Sequence, residues 1–533
     1  MPRLVNILLI ALMVCVIFSV SLTPLRSTND TWWHLKTGKM LLERGLDLPE
    51  FDIFAYTSEN IPWHNHEWLA QVIFFLFYGL GDGTVQNGIQ LVILLKALVI
   101  VLTYLFIFFL AFQETRSIPI AVLVSVWSLL LARRTLYQRP PIFTYLFFSG
   151  YLFLLRECYT GRLKRTWLWI LPLAMILWVN LHGGFLVGVI AVGAYVVADI
   201  VKGKTLRDKR IWKNGALLLS CILASLLNPS TYHVWLLPGR VMQDIGLVRI
   251  IPELHSPDFF YTISFEVLIL FLVLAFALAK KKVLTLAEGL VLIFFMHQAI
   301  QHIRHLPLVG IVAAPICARL LHVLKNDYCP EKIRRFVPLF AGGIFVLLSG
   351  YIVFNHRESG GSFFERNLNY SRGLGYHETN YPVPEADFII ANDFKGRMYN
   401  QINIAGYLIW RLSPEYHKVF TDSRYDIFGG KFMRHEQIIQ GGLDKKVYPD
   451  DFTWDELLDK WDINFILITG GAPVNPLLEE SGRWKLVYHR IQPHSRTTRS
   501  GYKIYLRNVP ENQSLITRCL NSFKIAYPQF ELE

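Results

Sequence analysis

The sequence predicts a polytopic α-helical membrane protein of about eleven transmembrane helices with a C-terminal α/β domain on the exoplasmic side. Three observations carry this reading. Of 533 residues, 53% are hydrophobic, 14% aromatic and only 18% charged, whereas soluble chains carry about 25% charged residues. The apolar residues arrive in blocks about twenty long, the length that a bilayer needs. The loops between those blocks are rich in Lys and Arg, which is the cytoplasmic signature of membrane topology.

The first block, 4–22, has one basic residue (Arg3) before it and Ser19 and Ser21 near its end. Its length and the many blocks that follow favour an uncleaved helix over a signal peptide. Further candidate spans cover 86–112, 117–132, 141–157, 166–180, 184–201, 213–228, 263–279, 284–300, 307–323 and 336–354. A cytoplasmic N-terminus puts Arg162 to Arg165, Lys202 to Lys213, Lys280 to Lys282 and Lys332 to Arg335 on the cytoplasmic side, as the positive-inside rule requires. The same parity places 23–68, 229–262, the 301–305 turn and everything after 355 outside.

The net charge of +12, from 53 Lys and Arg less 41 Asp and Glu, is thereby explained by topology, and nucleic-acid binding is not indicated. The six cysteines form no Cys-x-x-Cys pair, so neither a zinc site nor a disulfide framework is implied. Composition changes after the last span. A polar stretch from Asn355 to Tyr381 reads as a linker. Runs at Lys418–Thr421, Phe465–Ile468, Lys485–Tyr488 and Tyr502–Leu506 have strand character, and Trp454–Trp461 has helical spacing. The expected division is a membrane domain, 1–355, and a soluble domain, 356–533.

The densest chemistry lies in the first outer loop. Asp30-Thr-Trp-Trp-His-Leu-Lys-Thr-Gly38 combines a carboxylate, two indoles, an imidazole (His34) and a cation (Lys36). Trp32 and Trp33 suit interfacial anchoring. An anchor requires no carboxylate, and Asp30 stands four residues before His34, on one face of any helix there. Downstream come Asp52 and then Trp63-His-Asn-His-Glu-Trp68. There His64, His66 and Glu67 read equally as binding groups or as polar residues solvating the start of a helix, with Asn65 as its N-cap.

Asp30 to Gly38, Phe51-Asp-Ile-Phe-Ala-Tyr-Thr57, His66-Glu-Trp-Leu69, Trp178-Val-Asn-Leu-His-Gly-Gly184, Gly406-Tyr-Leu-Ile-Trp-Arg411 and Val419-Phe-Thr-Asp-Ser-Arg424 together resemble an uncharacterised bacterial branch of the GT-C glycosyltransferases. That superfamily includes oligosaccharyltransferases, protein O-mannosyltransferases and aminoarabinose transferases. The resemblance spans most of the chain. It implies inverting transfer of a sugar from a polyprenyl phosphate or pyrophosphate to a glycan, lipid or protein acceptor at the outer face.

Such a transfer needs a carboxylate to take the acceptor's proton and cations to stabilise the departing phosphate. Asp30 is the candidate for the first role. His34, Lys36, Asp52, His64, His66 and Glu67 are candidates for donor or acceptor binding or for a metal. Arg133, Arg134, Arg139, His302, Arg304 and His305 are candidates for the phosphate, which the planar guanidinium fork suits. His182, before paired glycines, is a further candidate. Asp30, Asp52 and Glu67 suit Mg2+ or Mn2+ through oxygen ligands, or Asp30 acts alone as base. Asp422 and Arg424 read as an internal ion pair.

Two other classes compete. A scaffold with a partner-binding C-terminal domain would not need so large an anchor. A transporter would place ionisable groups in mid-span, and apart from Lys96 and Glu288 the span interiors are nearly free of them.

Overall fold

The computed structural model describes residues 3–25, 30–133, 135–203, 209–258, 263–277, 283–355, 374–376, 378–444, 452–490 and 501–526. They form two compact units. The first comprises Met1–Leu25, His66–Leu236 and Ile251–Tyr376, and the second Arg26–Asn65, Leu237–Ile250 and His377–Glu533.

The first unit is helical. Its elements are α1 (Arg3–Ser21), then, after α2 (Asp30–Glu43) of the second unit, α3 (Trp68–Gly79), α4 (Val85–Thr115), α5 (Ile118–Ala132), α6 (Pro141–Tyr159), α7 (Ile170–Leu181), α8 (Leu186–Lys202) and α9 (Lys209–Ser225). After α10 (His233–Gln243) and α11 (Ile245–Ile250) it continues with α12 (Ile263–Ala277), α13 (Leu286–Gln301), α14 (Leu306–Val323), α15 (Glu331–Arg334) and α16 (Val337–Asn355). A helix occupies each expected span, and α3 adds an apolar helix that the span list omitted. Among the described residues four helical stretches are long and apolar enough to cross a membrane: Arg3–Ser21, Val85–Thr115, Gly183–Lys202 and Ile303–Tyr328. At 1.5 Å per residue α4 is about 46 Å long, more than a hydrocarbon core.

Glu288, which the sequence placed in mid-span, instead lies in the first turn of α13 and closes a capping box with Thr285. There it joins Glu114, Arg156 and Arg319: Arg156 lies 2.9 Å from Glu114 and 3.3 Å from Glu288, and Arg319 lies 3.2 Å from Glu114. Three carboxylates, Glu157 included, face three guanidinium groups, Arg162 included. The network ties α4, α6, α13 and α14 with no net charge.

The second unit holds a four-stranded sheet of β1 (Arg397–Asn400), β2 (Ile463–Thr469), β3 (Trp484–His489) and β4 (Tyr502–Arg507), in the order β1-β2-β4-β3. β1 runs parallel to β2, and the other pairs are antiparallel. Helices α17 (Val383–Ala391), α18 (Ile402–Arg411), α19 (Tyr425–Gly441), α20 (Trp454–Lys460), α21 (Asn475–Glu480) and α22 (Gln513–Ala526) complete it. Ile463, Ile466 and Ile468 of β2 pack with Tyr399, Phe420, Trp454 and Trp484 in its core. Lys418–Thr421 is not a strand; Val419 makes only a single bridge to Ala55. The remaining strand is β1, whose Arg-Met-Tyr-Asn composition carries little strand signal.

The sequence grouped the first outer loop, 23–68, with the membrane helices, whereas residues 26–65 pack as part of the second unit. The reason lies in paired groups that are distant in sequence. Tyr56 donates to Met398 O at 2.9 Å, Ser413 donates to Phe54 O at 2.8 Å, and Val419 N–H donates to Phe54 O at 2.9 Å.

Candidate functional site

Asp30 opens α2, where a carboxylate favours the helix N-terminus. From Thr31 to Gly38 every side chain of α2 is buried. Trp32 stands edge-on to Tyr381 and Tyr407, with centroids 5.3 and 5.1 Å away. Trp32 and Trp33 are therefore core residues of the second unit, not interfacial anchors. His34 is buried one turn beyond Asp30, with its ring centroid 3.7 Å from that of Trp33. Asp30 itself remains half-buried, and Ser423 Oγ donates a hydrogen bond to its Oδ1.

Ser423 sits between the two members of a buried ion cluster. Arg424 donates to Asp52 at 2.7 and 3.0 Å and to Asp422 at 2.6 Å. Its guanidinium carbon also lies 4.8 Å from the Trp63 ring centre and 5.3 Å from that of Phe54. Burial works against the Arg424 cation, but Asp422 and Asp52 outweigh it and hold its pKa above the ordinary value. Burial pushes the Asp422 carboxyl up against the opposing pull of Arg424.

Asp52 also accepts from Ser58 Oγ at 2.6 Å, Phe54 N–H at 3.1 Å and Ala55 N–H at 3.3 Å. Its oxygens are saturated, so it is a strut for the loop and a poor metal ligand. Lys36 is likewise engaged, at 2.8 Å from both oxygens of Glu415.

His64 lines a cavity of about 410 Å³ in the second unit, with Arg240, Tyr425, Asp426 and Phe428 among the other walls. One side of it is fixed by a close crossing of α11 and α19. A Cβ on Gly430 would come within 2.9 Å of Gly246 Cα, and Asp244 accepts from Gly430 N–H at 2.7 Å. Gly429, at φ 64°, supplies the left-handed break at the start of α19.

In the first unit Glu67, His66 and His182 come together. Glu67 Oε1 lies 3.6 Å from His66 Nε2 and 3.5 Å from His182 Nε2. The Gly184 N–H donates to His182 Nδ1 at 3.0 Å, and Thr144 Oγ1 lies 2.7 Å from the same nitrogen. An Nδ1 that accepts leaves the proton on Nε2, facing Glu67. The helix that follows is N-capped at Glu67, not at Asn65, which is buried.

The cation candidates also converge. Arg133 and Thr135 line an apolar cavity of about 550 Å³, walled by Trp127, Phe271, Leu306 and Tyr351 among others. Arg139 donates to Glu253 at 3.0 Å. Arg304 interacts electrostatically with Glu253 and with Tyr145. His302 Nδ1 lies 2.6 Å from Leu254 O, and the rings of His302 and His305 stand 5.7 Å apart. Arg134 lies outside the described residues.

Among the described residues no group of three or more His, Cys, Asp or Glu is arranged to hold a metal ion. Sequence reasoning missed Ser423 and Glu253's pairing with Arg139. The first had only its place in the Thr421–Arg424 motif as a signal, and the second only loop polarity.

No protein-family model and no curated protein sequence matches the chain. Solved structures do match its fold. The archaeal oligosaccharyltransferase AglB from Archaeoglobus fulgidus, in complex with an inhibitory peptide and a dolichol-phosphate, aligns over 95% of this chain and 75% of its own, at 12% identity and TM-score 0.51. The Archaeoglobus fulgidus oligosaccharyltransferase in complex with Zn and sulfate aligns over 93% and 73%, at 12% identity and TM-score 0.52. ArnT from Cupriavidus metallidurans, bound to undecaprenyl phosphate, aligns over 95% and 98% at 14% identity and TM-score 0.48. The chain has the fold of the archaeal oligosaccharyltransferase structures.

Proposed function

We propose that this protein transfers a sugar, with inversion, from a polyprenyl phosphate or pyrophosphate donor to an acceptor at the outer face of a bacterial plasma membrane. The N-terminus is then cytoplasmic, and the C-terminal domain is exoplasmic. The observation that carries the reading is the half-buried Asp30 at a helix N-terminus, held by Ser423 from the Thr421–Arg424 motif, in a chain with the archaeal oligosaccharyltransferase fold.

In the proposed step an acceptor oxygen attacks the anomeric carbon opposite the phosphate. The new C–O bond forms as the bond to the phosphate oxygen breaks, the phosphate leaves with the electron pair, and Asp30 takes the acceptor's proton. Within the first unit, Arg133, Arg139 and Arg304 are the cations whose chemistry suits a departing phosphate, and the apolar cavity lined by Arg133 and Thr135 suits the start of a prenyl tail. The dolichol-phosphate of the archaeal neighbour is a ligand of that chemistry. Saturation of Asp52 argues that it takes no part in metal binding, and the step above uses the chain's own groups.

A deletion strain tests the reading. Mass spectrometry of its lipid extract should show a polyprenyl-linked sugar accumulating while an envelope glycan, lipid or protein loses that sugar. An unchanged inventory of both, with the protein normally expressed in the parent, would count against the transferase reading.

A further inference from the structure

Five cations are buried among the described residues: Lys36, Lys96, Arg319, Arg424 and Arg490. Four have a carboxylate partner built into the fold: Glu415 for Lys36, Glu114 and Glu288 for Arg319, Asp52 and Asp422 for Arg424, and Glu385 for Arg490. Lys96 is the exception. It is 0% exposed within α4, and its Nζ donates to Thr23 Oγ1 at 2.7 Å and to Leu136 O at 3.3 Å, both neutral groups. A buried ammonium without a counter-charge is costly, and folds ordinarily neutralise it. This chain does so at its other four.

The place of Lys96 indicates where its counter-charge comes from. Leu136 belongs to the 135–139 turn, and Gln138 of the same turn donates to Thr23 O at 2.7 Å. Lys96 and Gln138 thus pin the turn to the end of α1. The same turn carries Arg139 and Thr135, and Thr135 lines the apolar cavity together with Arg133. When protonated, Lys96 acts through a poorly screening interior on an anion bound at that turn, and such an anion in turn favours the protonated form.

We propose that Lys96 is the internal counter-charge for the donor's phosphate at the 135–139 turn, a positioning residue that holds the turn and raises its affinity for the anion without touching it. The inference rests on the lipid-linked donor reading above. The test uses the purified full chain in detergent, with decaprenyl phosphate and uncharged decaprenol as probes, binding read by native mass spectrometry and stability by thermal melting. Lys96→Gln keeps a donor and loses the charge, whereas Lys96→Met loses both.

Lys96→Gln should weaken decaprenyl phosphate binding by roughly tenfold or more, and Lys96→Met, which also gives up the tie to Leu136 O, by at least as much. Lys96→Gln should bind decaprenol as the wild type does and should not melt at a lower temperature. A Lys96→Gln variant that binds decaprenyl phosphate like the wild type would overturn the inference, as would variants that lose both probes together with thermal stability. Displacement of the wild-type lipid by an equal concentration of inorganic phosphate would assign the charge to a free anion and overturn the lipid assignment. A wild type that binds neither probe would sink the donor reading itself.

Discussion

Ser423 Oγ donates to Asp30 Oδ1 across 393 residues of sequence, while its neighbours Asp422 and Arg424 are locked into a buried cluster with Asp52. The Thr421–Arg424 motif therefore does two things at once. Its charged members fix the first outer loop in the second unit, and its serine orients the carboxylate that opens α2.

The serine's contribution is separable from the fold. Ser423→Ala should lower the kcat of sugar transfer by about tenfold, with little change in KM for the lipid-linked donor or in melting temperature, because the half-buried Asp30 can exchange the lost hydrogen bond for water but loses the orientation it gave. Ser423→Thr should restore much of the rate. Initial rates with lipid-linked sugar extracted from the deletion strain give both constants.

Arg424 is the structural counterpart. Arg424→Leu leaves Asp52 and Asp422 facing each other without their shared cation and should destabilise the second unit by about 3–5 kcal/mol. Asp52→Asn keeps most of the hydrogen bonding and should cost less. Thermal melts of the detergent-solubilised variants measure both.

Glu436 makes stability depend on pH. It is buried in α19, with Ile402 N–H 3.4 Å from its Oε1, and burial pushes its pKa up to about 7. The unfolded chain loses this proton near pH 4.5, while the folded chain keeps it until about 7. Stability from this group therefore falls as pH rises through that window, by about 3 kcal/mol in all. Glu436→Gln should abolish this contribution and raise the melting temperature most at pH 8. A melting curve series from pH 5 to 8 reads the difference.

The crossing of α11 and α19 has no room for a methyl group at Gly430. Gly430→Ala should cost about 1–3 kcal/mol through overpacking and expose Leu237–Ile250 to limited proteolysis earlier than in the wild type. Gly239→Ala, where a Cβ meets nothing within 4 Å, serves as the control.

The membrane helices were legible because long apolar runs leave few alternatives, and β2 to β4 because their runs are apolar and bounded by turn residues. What failed was local. Lys418–Thr421 has strand composition but pairs through Val419 alone, and β1, with Arg397 and Asn400 at its ends, has none of the expected pattern. The site was legible in residue types and not in their pairings. Lys36 reads as a donor- or acceptor-binding group until Glu415 is found 379 residues away, and Asp52 as a metal ligand until Arg424 is found 372 residues away. Glu67 and His182 meet only because α3 and α7 pack together. Trp32 and Trp33 match an interfacial belt in composition, and only the fold of the second unit shows them buried.

The central claim is that Asp30 takes the acceptor's proton. Its most direct test is a mass-spectrometric comparison of lipid-linked sugars and envelope glycans in a deletion strain complemented with wild type or with Asp30→Asn at equal expression. The account predicts that wild type clears the accumulated polyprenyl-linked sugar and restores the glycan, while Asp30→Asn does neither. Full complementation by Asp30→Asn would contradict it.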